Sequence, residues 1–366
     1  MKKRKLINRI LVCLLALITI IIAGAYSMFS ERIQAALSVR KLEDTLYCME
    51  FKGNYGFDRY LEQGGAPTDI QMASYIISFL SNGFWKENNL NVDKRNFGCS
   101  ALKAQTEDGA FIYGRNYDWE PCDTMLVHTI PKEGFESVST CCLDFLGFGE
   151  DWIPQGFGNQ FMSIASIYVP LDGMNEKGVV IADLMAGDRV ETHQDTFRPD
   201  ITTTAAIRLV LDHAASVDEA VNLLSQYDMN SAIESAHHFY LADQNGKSVV
   251  VEYIDNEMIV TETNALTNHY LARKKNGVGS ENSHGRFDKL TEDYEKAEGN
   301  MSMEEITSSM RRVSCGAFPD AEDTTEKTDW TCCYNTRTLT VEYYYLENYD
   351  HKYTLKLGKG SEWVSK

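Results

Sequence analysis

Three residues whose types and spacing suit covalent chemistry stand close together in the chain: Cys99, Arg115 sixteen residues on, and Asp118 nineteen on. A cysteine attacks as its thiolate, and a neighbouring cation favours that form, whereas a thiol in apolar surroundings stays inert. Cys99 is therefore the candidate nucleophile and Arg115 the cation that acts on it. The flanking pattern shows how they meet. Residues 100–106 read as a strand, Glu107-Asp108-Gly109 is a hairpin turn signal, and residues 110–116 read as the returning strand. A cysteine at the head of one strand then faces an arginine and an aspartate on its partner. Taken alone, the same residues fit a core cysteine beside a surface salt bridge.

Composition narrows the classes. With 366 residues, 43% of them hydrophobic, the chain buries one sizeable core, or one core and a small extra segment. Its formal charge is −18 even though Lys2, Lys3, Arg4, Lys5 and Arg9 crowd the start. So acidic a body repels phosphate backbones and anionic head groups, which argues against a nucleic-acid function. The nine cysteines lack the CxxC spacing of zinc ribbons or redox dithiols, so neither a metal nor another cofactor is called for. Cys141-Cys142 and Cys332-Cys333 lie on apolar stretches and read as core residues or occasional disulfide partners.

Three segments follow in order. Residues 1–29 pair a basic start with an apolar run over 10–29, the asymmetry of an export segment. Ala23-Gly24-Ala25 suits signal cleavage, yet twenty apolar residues also suit a permanent anchor; either places the remainder outside the cytoplasm. Residues 30–98 read as a helical pro-segment or packed arm. Thr68-Asp69-Ile70-Gln71 is a capping-box pattern, apolar residues recur through Ile70, Ala73, Ile76, Ile77 and Leu80, and Gly83 is the stop. Residues 99–366 form the catalytic domain. There, strands are expected at 161–169, 178–184, 238–242, 248–253, 258–262 and within 330–357, with helices at 202–212, 216–227 and 303–313. Grouped strands joined by hairpins argue for α+β layers rather than a doubly wound parallel sheet.

Further motifs follow in order: Cys99, Gly114-Arg115-Asn116-Tyr117-Asp118-Trp119, the run Gly-Met-Asn-Glu-Lys-Gly at 173–178, Ala242-Asp243-Gln244-Asn245-Gly246-Lys247, Leu266-Thr267-Asn268-His269, and Arg286 in Ser-His-Gly-Arg-Phe. In this order they resemble the N-terminal nucleophile hydrolases of the choloylglycine hydrolase and penicillin V acylase type, the linear amide C–N hydrolases. Residues 52–65 also look like the segment ahead of the nucleophile in the branch related to acyl-coenzyme A:6-aminopenicillanate acyltransferase.

The resemblance implies a four-layer αββα sandwich with the nucleophile at the end of an inner strand. It further implies that Cys99 cuts the Gly98–Cys99 bond itself, freeing an α-amine that serves as base. An amine with a reference pKa of about 7.7–8.0 suits that role near neutral pH. By the same resemblance Arg115 attends the sulfur, Asp118 orients the α-ammonium, Asn268 donates to the oxyanion, and Arg286 ties the group together. The substrate class is a small-molecule N-acyl amide. One departure stands out: family members commonly have Asn or Tyr where this chain has Met185, and a thioether donates no hydrogen bond. Three readings remain open, an amidase, an acyltransferase that passes the acyl group to an amine, and an exported binding protein without turnover. A papain-like protease fits less well, because His237 and His238 lie on an expected strand with one facing in and the other out. His269 is the alternative base. The oligomeric state is left open.

Overall fold

The computed structural model describes residues 2–85, 98–148, 152–188, 190–232, 235–319 and 326–366. Asn96 and Phe97, at the head of the nucleophile motif, lie outside the described residues.

Two large sheets face each other. In the nine-stranded sheet the strands lie side by side in chain order: Arg40–Lys41, Leu46–Gly53, Thr124–Pro131, Ser137–Cys142, Asp172–Asn175, Val180–Met185, His237–Ala242, Ser248–Ile254 and Glu257–Glu262. The seven-stranded sheet runs Ala265–Thr267, Gly98–Gln105, Phe111–Trp119, Lys327–Asn335, Thr340–Tyr345, Tyr353–Lys356 and Val364–Ser365. Side chains alternate between faces along a strand, and the core follows that alternation. Val180, Ala182 and Leu184 join Cys99, Ala101, Tyr113 and Tyr117 between the sheets. Ile181, Phe239, Leu241 and Val251 pack outward with Ala205, Leu209 and Leu224, from the helices Thr203–His213 and Val217–Leu224. On the far side Leu102, Ala104 and Ile112 pack with Leu290, Ile306 and Met310, from the helices Glu281–Lys296 and Met303–Arg312. The fold is a four-layer αββα sandwich.

The expected hairpin is observed as strands Gly98–Gln105 and Phe111–Trp119, paired from Gly98 with Asp118 to Gln105 with Phe111. Thr68 caps the helix Asp69–Leu80 by accepting from the Gln71 N–H, and Ser216 caps Val217–Leu224 in the same way.

Three expectations are corrected. Residues 161–169 are no strand: a short helix Phe157–Met162 runs into a 3-10 turn Ser163–Tyr168 whose six residues are all buried. An apolar run covered on every side carries no periodicity that separates strand from helix. The segment 30–98 is not purely helical, since Leu46–Gly53 enters the nine-stranded sheet parallel to Thr124–Pro131. Tyr47, Met49 and Phe51 face the helices while Leu46 and Cys48 face the second sheet. His237 and His238 are both buried, because their strand has neighbours on both sides and covered faces. Separately from these corrections, residues 10–29 lie within one helix, Lys2–Ser38, whose end packs through Ala35 and Ala36 on the core. Among the described residues no helix is long and apolar enough to cross a membrane.

A leader that supplies an internal strand cannot leave without opening the sheet. If the chain is cut ahead of Cys99, the fragment ending at Gly98 is expected to co-elute with the catalytic fragment in size-exclusion chromatography and to separate only in denaturant. Separation under native conditions would contradict this placement.

Candidate active site

The strand Gly98–Gln105 points the side chain and the backbone of Cys99 in two directions, and a different set of residues meets each. Its side chain enters the layer between the sheets, where Cys99 is fully buried. Its neighbour across the strand is Tyr117, and Arg115, two residues away on the same face, reaches it: Nη2 lies 3.3 Å from Sγ. The same Nη2 donates to the Asp183 carbonyl at 2.8 Å, and Nη1 meets Asp172 Oδ2. Asp172 also accepts from Trp330 Nε1 at 2.9 Å and from the Tyr334 hydroxyl at 2.8 Å. The guanidinium therefore has a carboxylate on one side and the sulfur on the other, with the rings of Tyr117 and Trp330 centred 5.2 and 5.6 Å from its carbon.

The backbone of Cys99 points elsewhere. Lys103 N–H reaches the Asn264 carbonyl across the sheet edge, so by the period of two the Cys99 N–H and C=O aim at that edge as well. The edge strand Ala265–Thr267 stops one residue short, its Thr267 pairing with Ser100. Buried backbone groups require partners, and side chains supply them. Asn268 Oδ1 accepts the Cys99 N–H at 2.7 Å, and Arg286 Nη1 donates to the Cys99 carbonyl at 2.6 Å. Arg286 Nη2 also donates to Asn268 Oδ1 at 2.9 Å, and its Nε is held by Asn282 Oδ1 at 2.7 Å. Asn268 Nδ2 donates to the Met185 carbonyl at 2.9 Å. Met185 thus meets the site through its backbone rather than its thioether.

Asp118 lies on the helix-facing side, opposite Gly98. Its Oδ1 accepts from Thr328 Oγ1 at 2.6 Å and its Oδ2 lies 3.4 Å from Arg286 Nη1. A Cβ at position 98 would stand 3.1 Å from Asp118 Cβ, a tight contact that a side chain there would have to relieve by a small shift.

Burial governs the titration of this cluster. It pushes the Cys99 thiol well above its ordinary range, and the opposing pull of Arg115 does not restore it. Burial thus opposes the thiolate that the nearby cation favours. Burial likewise opposes the charge on Arg115, yet facing Cys99 and Asp172 holds it above its ordinary value. Burial raises Asp118, with Arg286 and Thr328 acting against it. A neutral buried thiol needs a base at the moment of attack. His269, the alternative base, is lowered to about 4, chiefly by burial, and its Nδ1 lies 3.1 Å from Thr267 Oγ1 and 3.0 Å from Ser283 Oγ.

The structure thus gathers Cys99, Arg115, Asp118, Asn268 and Arg286 around one residue. Sequence reasoning missed Asp172, Asp183 and Thr328. Asp172 carried a signal, as an acid directly before the Gly-Met-Asn motif on an apolar run. Thr328 carried none, since its place depends on an irregularity between Thr328 and Trp330 in the strand Lys327–Asn335.

The four layers and the two facing sheets are those of the N-terminal nucleophile hydrolase fold. Two variants of a conjugated bile acid hydrolase from Clostridium perfringens share it, each with a TM-score of 0.53 at 16% identity, covering 73% of this chain and 96% of theirs. Residues 104–349 match the family described as acyl-coenzyme A:6-aminopenicillanic acid acyl-transferase, and the chain belongs to that family. It is also similar to a penicillin V acylase of Pectobacterium atrosepticum, 31% identical over 99 residues, which are 24% of this chain and 26% of that protein. A bile salt hydrolase/transferase of Clostridium perfringens is 27% identical over 180 residues, 46% of this chain and 53% of the relative. The chain thus spans about a quarter and about half of the length of these curated relatives.

Arg115→Lys keeps the charge but loses the fork that reaches Asp172, the sulfur and the Asp183 carbonyl together. Turnover is expected to fall at least about tenfold, roughly 1.4 kcal/mol of transition-state stabilisation. Stability is expected to fall by about 1–3 kcal/mol, because the site is buried. Unchanged kcat/KM and unchanged denaturant midpoint would show that the guanidinium geometry is not required.

Proposed function

We propose that the chain is a cysteine amidohydrolase of linear, non-peptide amide bonds that becomes active when the Gly98–Cys99 bond is cut. The observation that carries this reading is the double hold on one residue: the nitrogen of Cys99 is pinned by Asn268 Oδ1 at 2.7 Å while its sulfur faces Arg115 Nη2 at 3.3 Å. After cleavage that nitrogen is an α-amine, basic near neutral pH. It takes the thiol proton as sulfur attacks the amide carbonyl, supplying the base that a neutral thiol lacks. Arg115 stabilises the charge on sulfur, and the second N–H of Asn268 Nδ2 serves the oxyanion, where one donor is worth roughly 3–4 kcal/mol. Arg286 and Asp118 hold the amine in line. The ammonium then protonates the departing amine, leaving an acyl thioester on Cys99 that water opens.

The names of the relatives, penicillin V acylase and bile salt hydrolase/transferase, support an N-acyl amide substrate. The basic start and apolar run over residues 2–29 support an extracytoplasmic, membrane-held placement.

Intact-mass and N-terminal analysis of purified protein tests the reading. The wild type is expected to contain a fragment beginning at Cys99, and Cys99→Ala to remain full length. A quenched reaction with an N-acyl amide should show the acyl mass on that fragment. If water takes the acyl group, adding amine acceptors leaves product release unchanged; capture by amine would mark a transferase. An uncut wild-type chain with full amidase activity would overturn the proposal.

A further inference from the structure

On the helix-facing side of the strand Gly98–Gln105 lies a cavity of about 230 Å³, lined by Gly98, Asp118, Asn268, Arg286, Cys315 and Glu326 among others. It has room for several waters. Glu326 directly precedes the strand Lys327–Asn335, and a Cβ built on Gly98 would stand 3.4 Å from its Oε2. Side chains stand roughly perpendicular to a sheet, whereas the backbone bonds between strands lie in its plane. The two faces of the Gly98 carbonyl therefore look into different layers. The Cys99 side chain occupies the layer between the sheets, and the cavity with Glu326 lies under the opposite face.

We infer that Glu326 is the base for the second half of self-cleavage, activating the water that opens a thioester between Gly98 and Cys99. The inference rests on the reading that Cys99 cuts the Gly98–Cys99 bond. In the first half the sulfur adds to the Gly98 carbonyl carbon, the C–N bond breaks, and the thiol proton passes to the departing nitrogen. A thioester and an α-amine result. In the second half a water from the cavity adds to the same carbon and gives a proton to Glu326. The C–S bond then breaks, a proton returns to the sulfur, and Gly98 ends as a carboxylic acid. The neighbouring groups are committed elsewhere. Asp118 Oδ1 accepts from Thr328 Oγ1 at 2.6 Å, and its Oδ2 faces Arg286 Nη1 at 3.4 Å. The nitrogen of Cys99 is held at the sheet edge by Asn268 Oδ1. Burial raises the Cys315 thiol well above its ordinary range, so it offers no thiolate as base. Among the described residues of the lining, Glu326 is the remaining carboxylate.

The test uses the full chain made by cell-free synthesis, with the cut at Gly98–Cys99 followed over time by intact mass. Glu326→Gln is expected to slow the cut at least about tenfold, the lost base being worth roughly 10²- to 10⁴-fold, and to stall as a thioester with the mass of the uncut chain. Neutral hydroxylamine should then split that chain and leave Gly98 as a hydroxamate. An intact amide gives no such product, and a chain that merely misfolds forms no thioester. Glu326→Ala is the second variant should the first fold poorly, and added formate, which replaces the carboxylate in the emptied space, should restore its cut several-fold. Cutting of the variants at the wild-type rate would overturn the inference and leave the amidase reading standing. A stalled variant that neither hydroxylamine nor formate releases would place the block ahead of the thioester and likewise overturn it. A wild type that is never cut would overturn the reading of Cys99 on which the inference rests.

Discussion

A guanidinium sealed between two sheets must be satisfied where it lies, since removing a cation from water costs several kcal/mol unless partners replace the lost hydration. Arg115 is in that position. Its partners come from three directions: Asp172 and the Asp183 carbonyl from the opposite sheet, the rings of Tyr117 and Trp330 from its own sheet, and Cys99 Sγ from the adjacent strand. Asp172 is in turn held by Trp330 and Tyr334. Because each partner sits on a different strand, the separation and register of the two sheets are set at the point where the sulfur stands. The arginine thereby fixes the place of the Cys99 sulfur and the charge it faces.

The second constraint is the early end of the edge strand Ala265–Thr267. A strand one residue longer would pair its own backbone with Cys99. Its absence there hands the Cys99 N–H and C=O to Asn268 and Arg286. Sulfur and nitrogen of one residue are then controlled by separate groups, the sulfur from between the sheets and the nitrogen from the edge. The proposed mechanism, in which one residue is both nucleophile and base, uses that separation. Gly98 belongs to the same arrangement, because a side chain there would crowd Asp118.

The parts legible in the sequence were those with local signals. The hairpin followed from alternation around Glu107-Asp108-Gly109, and the helix starts followed from Thr68 and Ser216, whose side chains do cap. The residues meeting at the site came from motif order. What escaped notice depends on layers. The run 161–169 is covered on all sides, so its pattern had no preferred face. Leu46–Gly53 is a strand only because Thr124–Pro131 offers it an edge. His237 and His238 alternate correctly along a strand, but the outward face is roofed rather than wet. For Cys99 the proximity of Arg115 is visible in spacing, and complete burial is not.

The most direct measurement concerns the Cys99 nitrogen. The leader ending at Gly98 and the body are co-expressed as separate chains, the body beginning either at Cys99 or with one irremovable residue ahead of it. The rate of Cys99 acylation by an N-acyl amide is then followed by intact mass, with alkylation by a small reagent as the control for the thiol. The extra residue turns the amine into a non-basic amide while leaving Arg115, Asp118 and Asn268 in the sequence. Acylation is predicted to fall by roughly 10²- to 10⁴-fold, the range for a lost general base, while alkylation persists. Equal acylation rates in the two forms would contradict the account and move the base to another residue.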